Sequence, residues 1–327
     1  MSEKILFLKG DGIGPPVLKS AERILTSMTD SVEIIHGEIG RSAFDLTGQY
    51  LPHETMDLLD DCNTIFSGPV YPPENKKSPL STLMVQLDLY ARVRHFKTMA
   101  PDLGIKDLEV VLWSSNNNVA TEISEVQDFD GITLSKYISN NAYNRMMTLA
   151  LSDVEMRKLS RISCLIRDDF FPVSSGMFKE SFETIFTTDK YETTVLNVKD
   201  WAAHAFKFPS NAQCIICVDL YNQVVAGVLG GLTGYDHLGP LYFKGDDYTL
   251  FRPCNKPSYG DTIESGYENP TSAIMSVATY LASIGLKNES ADIMKALTET
   301  YIAMERTPDV GGTLTNEEFT NKVLSRI

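Results

Sequence analysis

Leu8-Lys9-Gly10-Asp11-Gly12-Ile13-Gly14-Pro15-Pro16-Val17 follows the apolar run Ile5–Leu8 and leads into a stripe of Val17, Leu18, Ala21, Ile24 and Leu25. The run predicts a strand and the glycines a tight loop. Pro15 and Pro16 predict the first turn of a helix, where a missing N–H costs nothing. Strand, glycine loop and helix are the start of an α/β unit. The glycines, however, are spaced G-x-G-x-G and followed by two prolines. A dinucleotide fingerprint needs G-x-G-x-x-G with the helix beginning inside it, so this is not the Rossmann loop.

Outward from that loop the alternation continues. Val32–His36, Leu89–Phe96, Leu108–Trp113, Thr194–Val198 and Cys214–Leu220 read as strands. Asp153–Ile166, Phe178–Phe186, a glycine-rich Val224–Leu232 and the pair Ser272–Leu286 and Ala291–Glu305 read as helices. Strands alternating with helices predict an α/β fold with a largely parallel core sheet. The 327 residues are enough for two domains.

With 29 Lys and Arg against 43 Asp and Glu, the formal charge is −14. Such a surface repels phosphate backbones and anionic lipid, so neither nucleic acid nor a membrane is an expected partner. Five cysteines are too few and scattered for a disulfide framework. Cys214 and Cys217 form a C-x-x-C inside an apolar run, and read as buried strand thiols pointing to opposite faces. The N-terminal residues run straight into the first strand without an apolar leader, which predicts a cytoplasmic protein.

Five stretches, in order, resemble the β-decarboxylating dehydrogenases, the isocitrate and 3-isopropylmalate dehydrogenase family. Residues 8–17 resemble its G-D-G-I-G-P-E-V, and Leu87-Asp-Leu-Tyr-Ala-Arg-Val-Arg94 its L-D-L-Y-A-x-x-R. Leu229-Gly-Gly-Leu232 resembles its helix glycines, and Glu268-Asn-Pro270 with Ala273-Ile-Met-Ser276 its A-N-P-x-A-x-I-L-S. Thr307-Pro-Asp-Val-Gly-Gly312 resembles its closing T-x-D-L-G-G. The resemblance implies a two-domain isopropylmalate dehydrogenase-like α/β fold that is not a Rossmann fold. One domain would be built from both chain ends, 1–94 plus 235–327, and 95–234 would be an inserted small domain carrying a homodimer interface. It also implies NAD, a 2-hydroxy acid substrate and a Mg²⁺ or Mn²⁺ ion held by three carboxylates.

The likeness stops where that chemistry would sit. The family's first two substrate arginines fall on Met84 and Arg94, and the third on Trp113. Its catalytic tyrosine and lysine fall on Val154 and Ser174. Of the metal carboxylates one remains as Asp200, while Gln223 and Gly227 replace the others. Ser78 matches a substrate-contacting serine. On the cofactor side the resemblance points to Gly10, Gly12, Ile13, Ser258, Asp261 and Asn269, although Asn269-Pro270 also reads simply as a helix start. A hard cation with one carboxylate has lost most of the charge that repays its dehydration. The expectation is a homodimeric, non-catalytic homologue that has lost metal-dependent oxidative decarboxylation and binds a small molecule. The alternative is an NAD-dependent oxidoreductase with a remodelled site for a less charged 2-hydroxy acid, since Met84 and Trp113 are apolar.

Overall fold

β1 (Glu3–Leu8) lies parallel between β2 (Val32–Gly37) and β3 (Thr64–Ser67), and α1 (Gly14–Met28) covers them, as the apolar runs and stripe predict. This is a computed structural model, and it describes residues 3–71, 73–74, 77–105, 107–116, 119, 121–208, 212–253 and 264–327. The further helices are α2 (Arg41–Thr47), α3 (His53–Asp57), α4 (Pro79–Gln86), α5 (Asn140–Arg157), α6 (Pro172–Ile185) and α7 (Val198–Ala205). After these come α8 (Asp219–Thr233), α9 (Thr271–Ser283), α10 (Lys287–Ile302) and α11 (Asn316–Leu324).

The remaining strands of the main sheet are β4 (Ala91–Lys97), β5 (Glu109–Ser115), β8 (Arg161–Ile166), β9 (Glu192–Asn197), β10 (Cys214–Cys217), β11 (Leu241–Lys244) and β12 (Thr249–Arg252). The ten strands run in the order β2-β1-β3-β12-β11-β4-β5-β10-β8-β9. β11 is antiparallel to both β12 and β4, and β4 to β5; the other pairs are parallel. The late strands β11 and β12 thus lie between the early strands β3 and β4.

Alternation along the strands divides the apolar residues between the two faces of the sheet. On one face Phe7, Phe66, Phe251 and Tyr242, in register across β1, β3, β12 and β11, pack with centroids 4.9, 4.9 and 5.2 Å apart. Each buried phenylalanine there contributes about 1.5–3 kcal/mol, and Val17, Leu18, Ile24, Ile274, Leu281 and Leu297 of the covering helices complete the layer. The opposite face carries two separate clusters. Leu6, Leu8, Ile65, Leu241 and Leu250 pack with Leu80 and Leu83 of α4. Leu112, Ile215 and Cys217 pack with Trp201 of α7 and Val225 and Leu229 of α8.

Two expectations need correction. The helix read over Asp153–Ile166 is the end of α5, a left-handed Lys158 (φ 58°), and then β8. Arg161–Ile166 is a parallel strand buried on both sides, and such strands lack the period-2 pattern that would distinguish them from a helix. Likewise Cys214–Leu220 is strand only to Cys217, with α8 beginning at Asp219. A hairpin of β6 (Thr121–Gln127) and β7 (Ile132–Ile138) stands apart as a two-stranded sheet.

Candidate active-site cavity

Between the two clusters on that second face the sheet turns polar. Arg92 and Ser114 sit opposite each other on β4 and β5, and Arg252 closes β12. A cavity of ≈ 330 Å³ opens over them, walled also by Ser78 at the start of α4, Met84, Asp219 and Gln223. It lies where the parallel strands β5 and β10 end, and ligands of open α/β sheets bind beyond such carboxyl ends.

The lining is built by short, specific contacts. Asn222 donates to Ser114 Oγ at 2.8 Å, and Asn116 donates to the Leu89 carbonyl at 2.8 Å. Asp219 accepts from Lys136 of β7 through Oδ2. Its Oδ1 is buried without a hydrogen-bond partner among the described residues, and so is Ser115 Oγ. With the Gln223 amide turned so that its oxygen faces Arg92, that oxygen accepts from Nη1 at 2.7 Å and from Nη2 at 2.9 Å. Beneath the wall, burial first, and then the charge of Asp219, push the Tyr143 hydroxyl well above the usual tyrosine range.

Of the residues the sequence proposed for substrate and metal, the cavity gathers Ser78, Met84 and Gln223. Arg94 is not on its wall. Arg94 shares a strand face with Arg92 but lies one repeat farther along β4, stacks over Phe96 at 4.9 Å and donates to the Asp236 carbonyl. Trp113 points to the opposite face from Ser114 and donates to Asp153 at 3.3 Å, so it does not make the cavity apolar. Val154 is fully buried in the core. Ser174 is half-buried on α6, Asp200 is exposed in the first turn of α7, and Gly227 is on the exposed side of α8. Reasoning from sequence missed Arg92, Arg252 and Asp219. Arg92 was legible by alternation from Arg94; Arg252 required recognising the β11–β12 hairpin.

The glycine loop is committed to packing. Gly10 has φ +68°, and a Cβ there would meet the Pro69 carbonyl oxygen at 2.5 Å. Asp11, 6 % exposed, accepts from the backbone N–H groups of Arg41, Ser42 and Tyr71 at 3.0, 3.0 and 2.8 Å. Gly12 is exposed with φ 57°, whereas the Ile13 side chain is buried. With prolines in the first turn, α1 offers few free N–H groups to a phosphate. Asn269, 4 % exposed, accepts from Thr271 N–H and donates to Asp309 and Tyr301; it stands one residue before the N-cap of α9, which is Pro270 and not Asn269, with the helix beginning at Thr271. Ser258 and Asp261 lie outside the described residues.

Cys214 and Cys217 are buried on opposite faces of β10, as expected, and burial raises both thiols well above the usual range. No helix among the described residues is long and apolar enough to cross a membrane.

Comparison with known proteins agrees with this architecture. The chain is 26% identical to the homoisocitrate dehydrogenase of Methanocaldococcus jannaschii over 99% of its own length and 97% of the relative's. It is 25% identical to that organism's 3-isopropylmalate/3-methylmalate dehydrogenase, over 99% and 98%. Among solved structures, a β-decarboxylating dehydrogenase from Thermococcus kodakarensis superposes with TM-score 0.89 at 21% identity, covering 100% of this chain and 96% of that one. The isocitrate dehydrogenase of Methylococcus capsulatus gives 0.87 at 22%, covering 100% and 99%. The family model for isocitrate/isopropylmalate dehydrogenase matches residues 4–323, and the chain belongs to that family.

Proposed function

We propose that this chain has lost the metal-assisted oxidative decarboxylation of its family and acts as a small-molecule-binding, non-catalytic homologue. One observation carries the reading: the Arg92 guanidinium faces Gln223, the residue that replaces a metal carboxylate. Mg²⁺ and Mn²⁺ need several oxygen donors, preferably charged. Here Gln223 supplies an amide already turned to a cation, Gly227 lies on the exposed side of α8 and off the cavity wall, and Oδ2 of the nearby Asp219 is paired with Lys136. The residues present do not fit a divalent ion. Incubation with NAD, Mn²⁺ and isocitrate, homoisocitrate or 3-isopropylmalate tests this by absorbance, with no NADH expected; steady NADH formation would refute it.

A second reading, an NAD-dependent oxidoreductase with a remodelled site, draws support from the intact cavity at the strand ends. Trp113 no longer argues for a less charged substrate, because Arg92 and Arg252 line the wall. NAD remains a proposal on Gly10, Gly12, Ile13, Ser258 and Asp261.

The proposed assembly is a homodimer joined through 95–234, with 1–94 and 235–327 forming the other domain. Interleaving of β11 and β12 between β3 and β4 supports that division. Exposed apolar side chains support the interface: Val126, Phe129, Ile132 and Leu134 on the hairpin, and Leu220 and Val224 on α8. Apolar patches of this kind mark association surfaces.

A further inference from the structure

We propose that a second cavity, between α5 and the α9–α10 pair, binds a short aliphatic monocarboxylate with its head at Lys287 and Ser290. The bound acid would tie together two segments that the proposed domain division separates. The inference does not depend on what the first cavity receives.

This cavity, of ≈ 270 Å³, lies on the other face of the sheet and toward the other end of the β4–β5 pair. Along β4, Arg92 faces the first cavity, while His95 and Lys97 fall on the opposite face, where Lys97 stands across from Glu109 of β5. These three side chains form the floor. Met156 and Arg157, at the C-terminal end of α5, make one wall. Ala278 and Ala282 of α9, with Lys287, Ser290 and Met294 of α10, make the other. A ligand seated between them touches both 95–234 and 235–327.

Most of the charge in this lining is already matched. His95 Nε2 lies 2.9 Å from one oxygen of Glu109, Lys97 pairs with the other, and Arg157 donates to Asp153 at 2.8 Å. Lys287 is the exception: among the described residues its ammonium has neither an ion pair nor a hydrogen bond. Ser290 follows at i+3 on the same face of α10, half-buried, and its hydroxyl likewise has no partner there. An ammonium beside a hydroxyl offers donors to one carboxylate. Glu109 repels a second negative charge, so a diacid or a phosphate ester fits this lining worse than a monoacid.

The rest of the lining is apolar and suits a chain. Ala278 and Ala282, one turn apart on α9, leave room where larger side chains would fill it. Met156 and Met294 face them from α5 and α10, and methionine is unbranched and adapts to an irregular neighbour. Met156 is 37 % exposed, apolar surface that an aliphatic tail would cover. Each methylene withdrawn from water there is worth roughly fourfold in affinity.

Sodium hexanoate at millimolar concentration is the probe. The readouts are the melting temperature of the full chain and its backbone hydrogen exchange, since a ligand that binds only the folded state raises the first and slows the second. Hexanoate should raise the melting temperature saturably. Butanoate, shorter by two methylenes, should need at least about tenfold more for the same shift, and 1-hexanol, which lacks the charge, should give none. Exchange should slow at 156–157 and across 278–294. Lys287→Gln should weaken the response to hexanoate at least about tenfold, and Met156→Glu should abolish it by setting a like charge in the wall. Both side chains are exposed, so both variants should fold. The absence of any hexanoate shift overturns the proposal, as do equal shifts from hexanoate and hexanol, or a Lys287→Gln chain that responds like the parent. Slowed exchange confined to 78–84, 114–115 and 219–223 would place the acid in the first cavity and overturn it too.

Discussion

The Asp11 carboxylate accepts the Tyr71 backbone N–H at 2.8 Å across sixty positions of chain, and through Arg41 and Ser42 it also fixes the start of α2. The glycine loop is therefore held from three sides by one side chain. Its aspartate is the loop's organiser and not a ligand group.

Replacing Asp11 by Ala should strand three backbone donors in a site that is 6 % exposed. The expected cost is roughly 2–4 kcal/mol, read as a lower urea midpoint, and Asp11→Asn should recover part of it by keeping one acceptor. A midpoint unchanged by Asp11→Ala would contradict this.

Asp309 sets an acid limit. Burial alone would raise its carboxyl, but His237 at 2.7 Å, then Thr307 and Asn269, hold it below the usual aspartate range. Its folded value is depressed, so its contribution to stability is complete above the unfolded value near pH 4 and is lost as pH falls through the folded value. Urea midpoints should decline below about pH 4, and Asp309→Asn should flatten that decline while lowering the midpoint at neutral pH. An identical acid decline in Asp309→Asn would show that other carboxylates control it.

NAD at millimolar concentration should raise the melting temperature if the cleft beside Gly10 and Gly12 still receives a nucleotide. The Asp261 carboxylate predicts a larger shift with NAD than with NADP, because a 2′-phosphate would be repelled. No shift with either dinucleotide would remove NAD from the account.

Sedimentation at micromolar concentration should give a dimer, burying well over ~1,500 Å². Leu134→Glu on β7 and Val224→Glu on α8, both exposed in the chain, should drive it to monomer. A monomeric parent chain would refute the assembly.

How much of this was legible in the sequence depends on local signal. α1 and β1 carry their own punctuation, in the prolines and glycines of residues 10–16, and were readable directly. β8 was not, since a strand buried on both faces has no alternation to betray it. The cavity was harder still. Ser78, Met84 and Gln223 came from motif positions, yet Arg252 reaches the site through the β11–β12 hairpin and its insertion beside β3, a contact between residues 185 positions apart at Thr249 and Thr64. Trp113 failed for a simpler reason: one step along a strand changes the face, and motif matching does not resolve one step.

The proposed loss of metal chemistry is read from the Arg92 guanidinium facing Gln223, a position where the family resemblance implies a metal carboxylate. Calorimetric titration of Mg²⁺ and Mn²⁺ into the chain, with and without NAD, tests it most directly. The prediction is no binding heat up to millimolar ion in either condition, and saturable binding at micromolar ion would contradict it.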